Sequence, residues 1–242
     1  MYTNDLGKNW SEITTQFSLT FRNEKIDGEF QKDYDKHAAW KKLVATIPVY
    51  TTWDDHDYFN DDLFNVPEGY TQKDKEAVCK IFREKGNFLG DKQMKWFEKQ
   101  LLDCKDPFII LSSLTMWSDY VSEGKDSWGV YDPGNREKNF NITEKNKIGG
   151  VLLISGDRHG TRGFTIPRPS GFNFYEFETG SLGGRVCPHP IRANWKTQLY
   201  GVSGEPAFGQ FSFDTTLADP EVTFRLIHES GTVYYEIILS RS

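Results

Sequence analysis

Two apolar runs, each ending in a loop that joins carboxylates to imidazole, constrain this chain more than any other feature. IPVYTTW (residues 47–53) runs into Asp54-Asp55-His56-Asp57, and VLLIS (residues 151–155) runs into Gly156-Asp157-Arg158-His159-Gly160. Both runs read as short strands, aliphatic or β-branched, with Pro48 near the start of the first, where a strand tolerates it. In open α/β sheets, ligands gather beyond the carboxyl ends of the strands, which is where both loops belong. So many ionisable side chains at two strand ends are costly unless an opposite charge compensates them. Carboxylate oxygens suit hard cations, and imidazole extends the range to iron and zinc. Either loop alone also reads as a solvated acidic turn or an Asx turn with an exposed histidine. The pair at matching strand ends favours a shared metal site.

The rest of the chain supplies layers for these strands. Residues 29–46 predict a helix with Phe30, Tyr34, His37 and Ala38 on one stripe. Thr71 reads as the N-cap of a helix carrying Ala77, Val78, Ile81 and Phe82 that stops near Gly86. Another helix begins at Asp91, with Met94, Phe97, Leu101 and Cys104 on a single face. PFIILSSL (residues 107–114) is a further apolar strand, followed by a polar, aromatic-bearing segment up to VLLIS. Apolar strands separated by helices indicate a sheet buried on both faces. The last third changes period. FNFYEFET (residues 172–179) mixes alternation with a high aromatic load, and residues 221–228 and 233–239 alternate across Glu-Ser-Gly-Thr as an antiparallel hairpin. The fold class expected is a mixed α/β sandwich, parallel-type strands first and antiparallel ones last.

Composition narrows the partners. With 29 Lys and Arg against 35 Asp and Glu, the net charge of −6 argues against a nucleic-acid binder. Aromatics make up 15% of the 242 residues, enough to build a core from few large side chains. No apolar run reaches the ~18 residues of a membrane span, and the polar N-terminus lacks the apolar stretch of a signal peptide. Three cysteines, Cys79, Cys104 and Cys187, without paired spacing give neither a disulfide framework nor a zinc knuckle.

Other candidate side chains divide between structural and functional readings. His37 and His228 lie on apolar faces and read as structural, and His189 reads as a loop residue. Trp117 and Tyr120 read as aromatic packing ahead of pocket walls. Arg158, flanked by two candidate ligands, suits an anionic substrate through bidentate contact, or a local ion pair to Asp. Arg162 and Arg185 join it as candidates for substrate binding.

TTWDDHDYFNDD, FLGDKQMKWFEKQLLD, SSLTMWSDY and LLISGDRHG together resemble the PhoD-like (alkaline phosphatase D) branch of the calcineurin-like metallophosphoesterases. The likeness runs from about Glu29 to the end of the chain, where FGQFSFDTTLADPEVTFRLI resembles the family's closing strands. It implies residues 29–242 as the C-terminal part of a metallophosphatase domain, with residues 1–28 a poorly defined leading segment. It implies a four-layer αββα sandwich, incomplete on its N-terminal side, with two or more metal ions: iron, calcium, zinc or manganese. Asp55, Asp157 and His159 take the places of metal ligands, and His56 that of the general acid. Arg158 joins the catalytic set, with Arg162 and Arg185 on the substrate, a phosphoester. A secreted or periplasmic home is what the resemblance suggests.

The departures are positional. Residues 1–28 hold only Asp5 and Asp27, neither after an apolar strand, so the superfamily's early aspartate loops have no counterpart. No histidine lies between His56 and His159, leaving Asp119 as the available substitute ligand. Three readings remain open: the C-terminal part of an enzyme whose first half is separate, a divergent member with fewer metals, or a non-catalytic metal-binding module. Loss of ligands by position favours the first.

Overall fold

The computed structural model describes residues 91–113, 115–118, 127–156, 160–180, 197–202 and 204–242, with Lys42, Ala45, Thr46, Gly69 and residues 71–74. The chain divides into two units, Met1–Thr51 and Thr52–Ser242. In the first, Lys42, Ala45 and Thr46 are the described part of the expected helix over residues 29–46, and all three are helical. The strand expected over residues 47–53 lies outside the described residues. In the second unit, Thr71 caps a helical start as expected. Its backbone N–H and hydroxyl donate to Asp74 Oδ2 at 2.7 and 2.6 Å, and its own oxygen receives the Asp74 N–H. These bonds hold the exposed Asp74 carboxyl below its ordinary pKa.

Helix α1 (Asp91–Asp103) follows, then β1 (Ile109–Ser112), a short α2 (Trp128–Tyr131), α3 (Pro133–Lys145), and the strands β2 (Val151–Ser155), β3 (Thr161–Pro167), β4 (Asn173–Glu178), β5 (Gln198–Val202), β6 (Ala207–Asp214), β7 (Glu221–His228) and β8 (Val233–Ser240). Five strands form one sheet in the order β1-β2-β4-β3-β5, and three form a second in the order β6-β7-β8. β1, β2 and β4 are parallel, while β3 runs antiparallel to both β4 and β5. The second sheet is an antiparallel meander. The mixed sheet expected from the change of period is present, and the meander adds β6 to the expected hairpin.

Two cores sit on opposite faces of the five-stranded sheet. On one face Leu111, Val151, Leu153 and Phe174 meet Leu101 of α1, Phe140 of α3, and Trp117 and Trp128. Phe140 stacks on Phe174 at 4.4 Å, and Trp117 lies parallel to Trp128 at 4.8 Å, so Trp117 is a core residue as its packing reading held. On the other face Leu152, Phe177 and Tyr200 meet Ala207, Val222, Phe224 and Leu226 of the meander. Phe224 is the hub, 4.3 Å from Phe177 and 5.0 Å from Phe211 between ring centroids. Gly209 admits that ring: a Cβ there would come within 2.8 Å of Phe224 and 2.5 Å of Thr179. The order is therefore helices, mixed sheet, antiparallel sheet. The meander's outer face is exposed, with Phe208, Tyr234 and Ile238 on it.

Helix α3 is one of the elements that periodicity misses. Its segment PGNREKNFNITEK turns Asn139, Phe140 and Thr143 inward, so two of its three buried residues are polar. What defines it is its start. Asp132 accepts from the Asn135 N–H at 3.1 Å, and Pro133 occupies the first helical turn, where a missing N–H costs nothing. Arg168, just past β3, anchors the helix by pairing with Glu137 and Glu144 at 2.8 and 3.2 Å. Between β1 and α3, the chain is pinched by a bridge between Met116 and Ser127 and by the Trp128 N–H donating to Met116 O at 2.8 Å. His228 stacks on Tyr234 and bonds Ser230 at 2.8 Å, a turn-stabilising arrangement that fits its structural reading. Among the described residues no helix is long and apolar enough to cross a membrane.

Candidate active site

The helix-facing side of the mixed sheet changes character toward the carboxyl ends of its parallel strands. Along β4, alternation puts Phe174, Glu176 and Glu178 on one face. Along β2 it puts Val151, Leu153 and Ser155 there, and along β1 Ile109 and Leu111, with Ser113 next. Register aligns these into rows. Leu111 pairs with Leu153 and Leu153 with Glu176; one step further, Ser155 pairs with Glu178 and Glu178 with Arg162. Ser113 extends that last row, its N–H reaching Ile154 O at 2.9 Å. The apolar core thus ends in a polar row of Ser113, Ser155, Glu178 and Arg162, every member buried.

Ser113 and the charged pair each have a partner. Ser113 Oγ accepts from Trp128 Nε1 at 2.6 Å. Arg162 Nε stands 4.0 Å from Glu178 Oε2, a cross-strand ion pair with both side chains at most 2% exposed. Charge without water demands such pairing, because an isolated buried ion costs several kcal/mol, on the order of the whole fold's margin. The Tyr200 hydroxyl donates to the Glu178 carbonyl at 3.2 Å; burial, then Glu178 and Glu176, push its pKa well up, so it stays a neutral donor. Thr161 Oγ1 accepts from the Gly180 N–H at 2.9 Å, joining the start of β3 to the chain leaving β4. Gly180 must lack a side chain, since a Cβ would fall 2.8 Å from the Gly160 carbonyl.

Glu176 lies one row deeper and is fully buried. Its Oε1 accepts from the Trp117 N–H at 2.7 Å, and its Oε2 from the Ser118 N–H at 2.9 Å. Burial raises its pKa. The two amides and the nearby Ser118 and Ser155 side chains act the other way, favouring the carboxylate.

Gly156 and Gly160 adjoin this row, the first next to Ser155 and the second two residues before Arg162. Gly156 follows the carboxyl end of β2, Gly160 precedes β3, and β4 lies between those strands in the sheet. Asp157, Arg158 and His159, which the sequence places between the two glycines, lie outside the described residues, as do Asp55, His56 and Arg185. Of the expected site residues Arg162 is described, and it is the buried partner of Glu178. Among the described residues no three His, Cys, Asp or Glu side chains are grouped to hold a metal. Glu176 and Glu178 are missed by motif reading. Their signal is two acids at i and i+2 inside FNFYEFET, on one face of a strand too aromatic to be exposed.

The arrangement defines an α/β protein with a mixed sheet whose parallel strands end in a buried charged row. The family model for PhoD-like phosphatase matches residues 66–200, more than half of the chain, and the chain belongs to that family. Solved structures match as well. One, titled "Structure of PhoD", is 14% identical, with a TM-score of 0.46, over 67% of this chain and 34% of that one. This chain therefore spans about a third of that relative's length. No curated protein matches.

Proposed function

We propose that the chain carries the later catalytic loops of a metal-dependent phosphoester hydrolase, in a domain over residues 29–242. The observation that supports this best is the buried polar row adjoining Gly156 and Gly160, at the strand ends where the sequence puts its carboxylate and imidazole. Two buried carboxylates, Glu176 and Glu178, stand there against one guanidinium, Arg162. This acidic surrounding fits a cation nearby. Asp55, Asp157 and His159 would hold it, a mixed oxygen and nitrogen donor set that suits manganese, iron or zinc, with calcium on the carboxylates. Such ions, when bound, supply Lewis acidity that neutralises phosphate oxygens and lowers the pKa of water.

The chain's own groups do the rest. Arg158 and Arg185 bind phosphate oxygens through paired N–H donors. Arg162, fixed by Glu178, adds a positive charge that cannot swing away. His56 gives its proton to the departing alkoxide, a role that matters in proportion to how poor the leaving group is.

Metal analysis of the purified chain and hydrolysis of a nitrophenyl phosphomonoester and diester test the reading. His56→Ala should lower turnover on alkyl phosphoesters by about 10²–10⁴-fold and on nitrophenyl esters far less. Equal losses on both would assign His56 to a ligand or scaffold role. Bound metal without hydrolysis would leave a metal-binding module.

A further inference from the structure

Glu176 is an expensive residue to keep. It is fully buried, and desolvation is the largest influence on its carboxyl, raising its pKa against the hydrogen bonds that favour the carboxylate. A packed apolar side chain there would be the more stable choice wherever shape alone mattered. The surroundings show what the carboxyl does. Both carboxylate oxygens are spent on consecutive backbone N–H groups, Trp117 at 2.7 Å and Ser118 at 2.9 Å. These two residues lie some 58 positions away in sequence and belong to no strand or helix. Their backbone N–H groups find in Glu176 the acceptor that a ladder would otherwise supply. On the far side of the same turn, Arg136 donates to the Trp117 carbonyl at 3.1 Å. The peptide groups around Trp117 and Ser118 are thus gripped from the sheet by the Glu176 carboxyl and from α3 by the Arg136 guanidinium. Asp119 is the next residue in sequence, directly after the gripped pair.

We propose that Glu176 is a positioning residue, a carboxyl clamp from β4 that fixes the chain leaving β1 at Trp117 and Ser118, beside the polar row. The role rests on the hydrolase reading above for its chemistry, but the clamp itself does not. Gln at this position keeps the shape and offers one acceptor only, its amide N–H₂ facing a backbone donor. Asp keeps the charge but withdraws it by one carbon–carbon bond.

The test is amide hydrogen exchange on wild type, Glu176→Gln and Glu176→Asp, with kcat and KM for a chromogenic phosphoester alongside. Exchange at the Trp117 and Ser118 amides should rise by about 10–100-fold in Glu176→Gln, and less in Glu176→Asp, with β7 and β8 amides unchanged. kcat should fall in the same order, by about 10–100-fold for Gln, with KM within about twofold. If Glu176→Gln does not fold, the Asp variant decides by the same selective loss at those two amides. Unchanged exchange there, or loss spread evenly over both sheets, overturns the clamp. Selective exchange with full kcat overturns its role in the reaction. In a wild-type chain without hydrolysis the function proposed above falls, and exchange alone then decides the clamp.

Discussion

The two sheets bury their residues differently, and the difference shows where chemistry can be housed. The meander β6-β7-β8 covers one face and leaves the other to solvent, so β7 alternates strictly: Val222, Phe224 and Leu226 inward, Thr223 and Arg225 outward. Its charges sit in water, as the exposed Arg225–Glu236 pair does. The five-stranded sheet is covered by helices on one side and by the meander on the other, and its charges have no water to reach. A polar group on it must be satisfied by protein or by a ligand. Glu176 meets this demand with the Trp117 and Ser118 amides, and Glu178 and Arg162 meet it by pairing with each other. A stabilising scaffold and a constrained site share one interface, and Phe177 and Glu178, neighbours on β4, face one each.

Removing the hub of the shared interface should have the largest effect. Phe224→Ala leaves a cavity against Phe177, Phe211 and Tyr200, and should cost about 3–5 kcal/mol in denaturant unfolding. Turnover per folded molecule should be unchanged. A fall in that turnover would show that the meander shapes the site.

A smaller effect should separate the sheets by pH. Burial raises the Glu176 pKa, so the folded state holds its proton more tightly than the unfolded chain does. Stability from this group is then greatest below the ordinary carboxylate range, and falls as pH rises through that range toward the raised value. Glu176→Gln removes the slope. The stability of wild type relative to this variant should decline with rising pH across that window and then level off. A flat difference would place the carboxyl in an environment as polar as the meander's surface.

The smallest effect belongs to the meander's outer face. Arg225→Ala breaks an exposed pair with Glu236 and should shift stability by less than about 1 kcal/mol, diminishing further in salt. A larger loss would mean that this face is not the solvated one its alternation describes.

Legibility in the sequence followed the same division. The amphipathic stripe of α1, the apolar run of β2 and the alternation of β7 and β8 could each be read from side chains, because burial imposed a period on them. Helix α3 could not, since Asn139 and Thr143 take core positions; Asp132-Pro133, a capping residue before an N-terminal proline, was the readable clue. β3, written TRGFTIP, hid behind an arginine and a glycine that make sense once Glu178 and the Tyr200 ring face them. The candidate motifs at strand ends were read from sequence alone, and their ionisable residues lie outside the described ones. The buried row was not read, because Glu176 and Glu178 look like ordinary alternation until register sets Glu178 beside Ser155 and Arg162.

The pinch between Met116 and Ser127 has an evolutionary consequence. The chain that departs after Ser118 returns through a backbone bridge, a hydrogen bond from Trp128 and a stack of two indoles. Because its base is closed independently of its interior, the intervening stretch can lengthen or shorten without disturbing either core. Loop-closure entropy charges only about 0.6 kcal/mol for each doubling of such a stretch. Changes of length between Ser118 and Ser127 can therefore leave the sheet as it is.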